Sequence, residues 1–385
     1  MRITYVVKYI AQLGGLDRVL TFKMNWLAAH GHDVQLITYE QGDHPLSFAL
    51  DPRIRHTDIG VKLWKKGGTG IAARTWSYLR LRRRFRRRMG SAVALAAPDV
   101  LVLLTDSYPV IDILMSLPTA ARRIVETHVE RRAFAKAGDF SHRNPVLRLA
   151  ARAYDAYMAR HIARADALVC LTQADARQWP EVPRVEVIAN PLTVEPTAIA
   201  TCTAPRAMAA GRLEDQKGFD MLVSAWADVH RRQPLWHLHI YGDGPDGPRL
   251  QQQIADAGLD DVVHLHSATP DIFERYAESS IFVLSSRYEG YGLVLAEAMS
   301  VGVPCVSFDC PYGPADIIST DDDGILVPPQ RTDLLADAIV RLAADTALRQ
   351  AMGQRARTHI RRYAPAPIMQ RWQHLFATVV QASAP

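Results

Sequence analysis

A chain of 385 residues, 48% of them hydrophobic, exceeds what one ordinary core organises and points to two globular domains. The net charge is only +5, the four cysteines show neither CxxC nor zinc spacing, and the longest apolar stretch is AVALAAPDVLVLL. Pro98 and Asp99 break that stretch well short of the roughly 20 residues a spanning helix needs. A disulfide framework, a cysteine metal site and a transmembrane helix are therefore not expected, and reduced packed thiols fit a cytoplasmic protein.

The chain opens on ITYVV, a buried strand rather than a signal peptide, because Lys8 interrupts the run and no small-residue cleavage site follows. Next comes QLGGLDRVL. There Gly14 and Gly15 let the backbone turn sharply and leave amides open at a helix start, an anion-binding geometry that a plain strand-to-helix turn shares. After the strand VQLIT, residues 60–98 hold no acidic side chain, and RTWSYLRLRRRFRRRM packs eight arginines into sixteen positions. As a helix it aligns Tyr78, Leu81, Phe85 and Met89 on one face with arginines around them. That stripe serves one partner at a time, the protein's own core or an anionic membrane surface met through residues 80–88.

VLVLL and RIVE continue the strands. His128 follows RIVE at a strand end, where a histidine faces a crevice; most lone histidines are structural. ALVCL and VEVIA complete the first half, and NPLTVEPTAIATCTAP, residues 190–205, reads as a linker.

In the second half, MAAGRLEDQKGFDML places Arg212 and Lys217 in a loop between strand and helix. A planar guanidinium fork and a point charge suit a diphosphate leaving group. HLHIYGDGPDGPRL spells GxGxxG with Gly242, Gly244 and Gly247, the dinucleotide fingerprint. Pro245 and Pro248 stiffen this loop, and no acidic residue ends the next strand, VVHLH, so the match reads as coincidence. Asp321, Asp322 and Asp323 precede ILVPP as a solvated turn, since consecutive side chains do not converge on one ion. All these apolar runs, with IFVLS and PCVSF, read as strands buried on both faces. Past the APAP break, Ile368, Trp372, Leu375 and Val379 recur at helical spacing in a final helix. The alternation of strand and helix is that of doubly wound α/β domains.

Between IFVLSS and PCVSF lies RYEGYGLVLAEAMSVG, a turn and a helix carrying Glu289 and Glu297 eight positions apart. Gly290, Tyr291, Gly292 and Leu293 present amides at the helix start, where phosphate is favoured, and a carboxylate accepts from a vicinal diol. Acceptors for two polyols flank donors for a diphosphate. This is the outline of a nucleotide sugar.

EGYGLVLAE is similar to the E-x7-E motif of glycosyltransferase family 4, retaining enzymes of GT-B architecture. The resemblance extends through the GG loop, GRLEDQKGFD, YGDGP, the run ERYAESSIFVLSSRYEGYGLVLAEAMSVGVPCV and the terminal helix. DCPYGPADI resembles a loop of a bacterial cell-surface polysaccharide branch; HSAT and NPL depart from the commoner glycine and NGV of the family. The family implies two Rossmann-like domains facing a central cleft, residues 1–192 on the acceptor side and 193–362 on the donor side, with 363–385 crossing back to the first.

It further implies Glu297 on the ribose and Glu289 on the donor sugar, with Arg212, Lys217, Gly14 and Gly15 among the donor ligands. Ser267, Ala268 and Thr269 would bracket the base, and His128 would stand near the transferred sugar. The implied reaction moves a hexose from a nucleoside diphosphate sugar, with UDP favoured over GDP, to a saccharide or lipid-linked saccharide. Configuration is retained and neither metal nor cofactor is needed. The place is the cytoplasm or the inner face of the plasma membrane, in the synthesis of cell-surface glycans such as lipopolysaccharide. A sugar-nucleotide epimerase or starch-synthase-like enzyme shares the architecture. An NAD-dependent oxidoreductase would rest on GDGPDG, and a nucleic-acid-binding protein on the arginine run; no nucleic-acid partner is expected.

Overall fold

The computed structural model describes residues 1–11, 14–63, 70–128, 131, 145–319 and 321–382. It divides into two compact units, Met1–Ala189 with Ile368–Pro385, and Asn190–Pro367.

In the first unit, β1 (Arg2–Val7), β2 (Asp33–Thr38), β3 (Arg55–Asp58), β4 (Val100–Leu104), β5 (Arg122–Glu126), β6 (Ala167–Cys170) and β7 (Val185–Val187) form one sheet. It is parallel, in the order β3-β2-β1-β4-β5-β6-β7. In the second, β8 (Arg206–Ala210), β9 (His237–Tyr241), β10 (Val263–His266), β11 (Ile281–Leu284), β12 (Cys305–Phe308) and β13 (Gly324–Val327) run parallel in the order β10-β9-β8-β11-β12-β13. Central strands such as VLVLL and IFVL are buried along their whole length, as continuous apolar runs require.

The edges behave differently. RHTD forms β3 although its sequence carries no apolar run, because an edge strand outside the core is held by its ladder to β2 and needs no buried face. Strand β7 is half-buried, and β9 and β10 alternate histidine with Leu238, Ile240, Val263 and Leu265. The expectation of burial on both faces therefore fails at these margins.

The arginine-rich segment is the helix Ile71–Ala96. Phe85 and Met89 are fully buried in the first unit's core with Val93, and Leu81 packs against them, so the apolar stripe is already occupied. The terminal helix Pro365–Gln381 buries Ile368, Trp372, Leu375 and Val379, the spacing read from the sequence. It is tied to the first unit where Arg184 Nη2 donates to Thr378 Oγ1 at 2.9 Å and Arg371 donates to the Val187 carbonyl. The aspartate triplet is only partly a solvated turn. Asp321 and Asp322 are exposed, but Asp323 is buried, accepting from Ser319 Oγ at 3.1 Å and lying 3.0 Å from His359 Nδ1. A carboxylate with local donors is stable inside.

Candidate active site

In an open α/β sheet, ligands bind beyond the carboxyl ends of the strands where the strand order reverses. In the second unit that point lies between β8 and β11. The loops leaving these strands, residues 211–218 and 285–292, carry Arg212, Lys217, Glu289, Gly290, Tyr291 and Gly292 of the predicted donor residues.

The two loops are stitched together. Ser285 Oγ donates to the Lys217 carbonyl at 3.0 Å, Gln216 Nε2 to Tyr288 O at 3.1 Å, and the Arg287 amide to Gln216 O at 2.8 Å. Arg287 grips Asp220 with two parallel bonds of 2.9 and 2.7 Å, the fork geometry that makes arginine pairs specific. The hydrogen bonds from Arg287 hold the Asp220 carboxyl below its usual range despite partial burial. Gly218 sits at φ +61°, and a Cβ there would lie 2.2 Å from the Ser285 carbonyl oxygen, so only glycine allows this approach.

Within this frame Lys217 Nζ donates to Glu289 Oε1 at 2.7 Å, and Ser286 Oγ donates to the same oxygen at 2.6 Å. Glu289 is 5% exposed. Arg212 shares the loop with Lys217 but points elsewhere; it is exposed and pairs with Glu214 of its own loop at 3.1 Å. The helix Leu293–Val301 starts after Gly292 with no side-chain cap, leaving its amino end available to an anion. Glu297 lies one turn into that helix, 5% exposed, and accepts from the buried Tyr276 hydroxyl at 3.1 Å. The DCPYGPADI segment backs the turn, its Pro311 carbonyl accepting from the Glu289 amide at 3.3 Å.

Asp243, in the glycine-rich loop after β9, accepts from the Ala268 amide at 3.2 Å and anchors the segment Ser267, Ala268, Thr269. The glycines beside it serve packing. A Cβ on Gly242 would stand 1.9 Å from the Gly211 carbonyl oxygen, and one on Gly244 would stand 2.3 Å from that of Leu213. They let the loops after β8 and β9 touch, which accounts for GxGxxG without a dinucleotide.

In the first unit, Gly14 and Gly15 open the helix Gly15–Ala29 with no side-chain cap. His128 follows β5, its Nε2 2.9 Å from Glu126 Oε1. The same carboxylate oxygen is paired with Lys23.

Sequence reasoning missed Ser286, the Arg287–Asp220 clamp, Tyr276, Lys23 and Glu126. Lys23 carried a signal: it lies three residues after Leu20 and four before Leu27, on the apolar face of its helix.

Residues 203–359 match the family model described as glycosyl transferases group 1. An exopolysaccharide phosphotransferase of Streptomyces coelicolor is 36% identical over 222 residues, 56% of this chain and 24% of that one. The amylovoran biosynthesis glycosyltransferase AmsD of Erwinia amylovora is 35% identical over 170 residues, 44% of this chain and 47% of its own length. The chain thus spans less than half the length of these two relatives. An uncharacterized glycosyltransferase of Haemophilus influenzae aligns end to end, 25% identical over 97% of this chain and 99% of that one. Among solved structures, S. aureus TarM, in complex with fondaparinux, α-GlcNAc-glycerol and UDP, superposes with a TM-score of 0.76 at 15% identity, over 98% of this chain and 100% of that one. The likeness shows the fold. The chain has GT-B architecture, and its residues 203–359 are similar to the glycosyl transferases of group 1.

Proposed function

We propose that the protein is a retaining, metal-independent hexosyltransferase of family 4, using a nucleoside diphosphate sugar, UDP favoured over GDP, to extend a saccharide or lipid-linked saccharide of the cell surface. The observation that carries this reading is the Lys217–Glu289–Ser286 cluster at the strand reversal of the second unit. The names of the Streptomyces and Erwinia relatives support the glycan context, and the UDP of the TarM complex supports the base.

In the proposed reaction, negative charge grows on the leaving diphosphate. Lys217, Arg212 and the amides of Gly290, Tyr291, Gly292 and Leu293 stabilise it, the kind of preorganised field that contributes most in such sites. The Arg212–Glu214 contact is exposed and therefore weak, so a diphosphate displaces it at little cost. Both contacts to Glu289 fall on Oε1, and Oε2 is the acceptor assigned to the donor sugar's hydroxyls. Glu297, oriented by Tyr276, takes the ribose diol; Ser267, Ala268 and Thr269 bracket the base. Gly14 and Gly15 add donor amides, and His128 acts on the transferred sugar. The acceptor attacks from the face the diphosphate leaves, and the leaving phosphate takes its proton.

The arginine face of the helix Ile71–Ala96 is proposed to meet anionic lipid on the cytoplasmic side. Arg80, Arg83, Arg84 and Arg87 are exposed along one shallow depression, next to exposed Trp76 and Leu79.

A thermal-shift screen against UDP, GDP, UDP-glucose, UDP-galactose, UDP-N-acetylglucosamine and NAD tests the donor class. A true donor at about 100 times its Kd adds about 2.7 kcal/mol of stability. Stabilisation by NAD alone, or by no nucleotide, would sink the reading, and inverted configuration in the product would remove the retaining mechanism.

A further inference from the structure

The first unit buries an ion pair that its packing does not require. Lys23 and Glu126, each with a side chain 1% exposed, meet in the interior. The Lys23 ammonium stands 3.7 Å from the centre of the Trp372 ring and 5.9 Å from that of Tyr5. Taking two ions out of water costs several kcal/mol each, and apolar side chains of similar volume often stabilise as well or better. Stability alone therefore does not account for the pair. Oε1 of Glu126 also lies 2.9 Å from His128 Nε2, close enough for a hydrogen bond. The contact falls short of hydrogen-bond geometry as it stands: His128 Nε2, the buried Oε2 of Glu126 and Oη of Tyr5 are all without a hydrogen-bond partner among the described residues.

We propose that Glu126 is a positioning residue for His128, taking the Nε2 proton and fixing the ring so that Nδ1 presents a lone pair, while Lys23 holds Glu126 in place. Burial by itself raises the Glu126 carboxyl, but Lys23 and His128 outweigh burial and bring it to about 2, so it is a carboxylate at every working pH. Lys23 supplies the countercharge to that carboxylate. A ring fixed this way accepts a proton from a hydroxyl, whereas a flipped ring would offer N–H. A histidine at a strand end needs such a partner to hold one tautomer. The kinetic consequence rests on the reading of His128 as a sugar-transfer residue; the tautomer does not.

Removing one ion strands the other, so both change together. Lys23→Met/Glu126→Met deletes the acceptor and the charge; Lys23→Met/Glu126→Gln deletes the charge and keeps an oxygen acceptor. Both are expected to fold, with Lys23→Met/Glu126→Leu as the replacement if the first does not. Long-range 1H–15N spectra of the intact chain carrying 15N-histidine, with His128 assigned by His128→Gln, read the tautomer. The Nε2–H form is expected in the wild type and the Gln variant, and a mixture in the Met variant. UDP release from UDP-glucose should fall about 10²-fold in kcat in the Met variant, with KM within about twofold, and recover at least about tenfold in the Gln variant. An unchanged tautomer in the Met variant overturns the proposal. A lost tautomer with unchanged kcat upholds the positioning and counts instead against His128 as a group acting on the sugar.

Discussion

Lys217 Nζ lies 2.7 Å from Oε1 of Glu289, a residue 72 positions away in the sequence, and the contact ties the loop after β8 to the loop after β11. The Lys217 and Glu289 side chains are 15% and 6% exposed, whereas that of Arg212 is 63% exposed. The two cations of one loop should therefore answer substitution differently. Lys217→Ala leaves a buried carboxylate without its countercharge, at about 1–3 kcal/mol, and is expected to lower Tm by several degrees. Arg212→Ala should leave Tm within about 1 °C of the wild type. Each should slow transfer roughly 10²-fold or more, the scale of a lost oxyanion donor. Thermal scans beside UDP-release kinetics separate the effects, and equal Tm losses would contradict the difference in burial.

The glycine-rich loop gives a second prediction. Gly242→Ala sets a methyl 1.9 Å from the Gly211 carbonyl oxygen, where only backbone movement relieves the clash. A cost of about 1–3 kcal/mol is expected, with weaker UDP affinity as the loop after β8 is pushed aside. Calorimetry and UDP titration check both. If the loop instead cradled a dinucleotide, NAD rather than UDP affinity would suffer.

The legible parts of this molecule were those written in local patterns. Continuous apolar runs gave the central strands, helical spacing gave the terminal helix, and the turn between Ser286 and Leu293 announced itself by glycines and paired carboxylates. The illegible parts depend on partners distant in sequence. Nothing near Arg287 names Asp220, 67 positions earlier, and nothing near Glu126 names Lys23, 103 positions earlier. The edge strand β3 was silent because a strand that buries no face has no apolar alternation to show. Gly242 and Gly244 spell a dinucleotide motif that read as coincidence, and packing accounts for them, since close backbone approach and phosphate binding ask for the same residue.

Countercharge for the diphosphate is assigned to Lys217, Arg212 and the uncapped start of the helix Leu293–Val301. Transfer is therefore expected to persist in EDTA, with kcat within about twofold of the untreated enzyme. Loss of transfer in EDTA, restored by manganese or magnesium, would overturn that assignment.

Four histidines share one face of β9 and β10. His237 Nδ1 lies 3.2 Å from His264 Nε2, and His239 Nδ1 lies 2.9 Å from His266 Nε2. Burial first, then Arg206 and the neighbouring imidazoles, lowers His239 from 6.5 to about 3; burial and nearby positive charge also lower His264 and His266. Glu278 pairs with Arg206 and Arg275 beside them, and Asp261 acts weakly on His264 in the other direction. Between pH 6.5 and 3 the unfolded chain thus binds protons the folded chain refuses. Stability is complete above pH 6.5 and falls as pH drops below it. Tm measured from pH 7.5 to about 5 should decline, and His239→Phe should shallow the decline. Parallel curves for the two proteins would show that the histidine face does not contribute.

The last prediction concerns lipid. Phe85 and Met89 are fully buried, so the apolar stripe of the helix Ile71–Ala96 is closed to a membrane, and any attraction must come from its outer face. That face carries Trp76 at 66% exposure and Leu79 at 52%, with Arg80, Arg83, Arg84 and Arg87 exposed. Two other arginines already have structural partners. Arg82 pairs with Asp112 and donates to the Pro109 carbonyl at 2.9 Å, and Arg88 donates to the Ile59 carbonyl at 2.7 Å. Charge reversal should therefore spare Arg82 and Arg88 and change Arg80, Arg83, Arg84 and Arg87 to glutamate, leaving Tm unchanged. Each basic residue near an anionic surface contributes roughly 1 kcal/mol, so neutralising the attraction of four should weaken binding by about 10³-fold. Flotation with phosphatidylglycerol vesicles, phosphatidylcholine vesicles and both at high salt reads the result. The wild type should float only with the anionic vesicles at low salt, and the reversed variant with neither. Flotation that ignores lipid charge, or survives the four reversals, would show that this face is simply solvated.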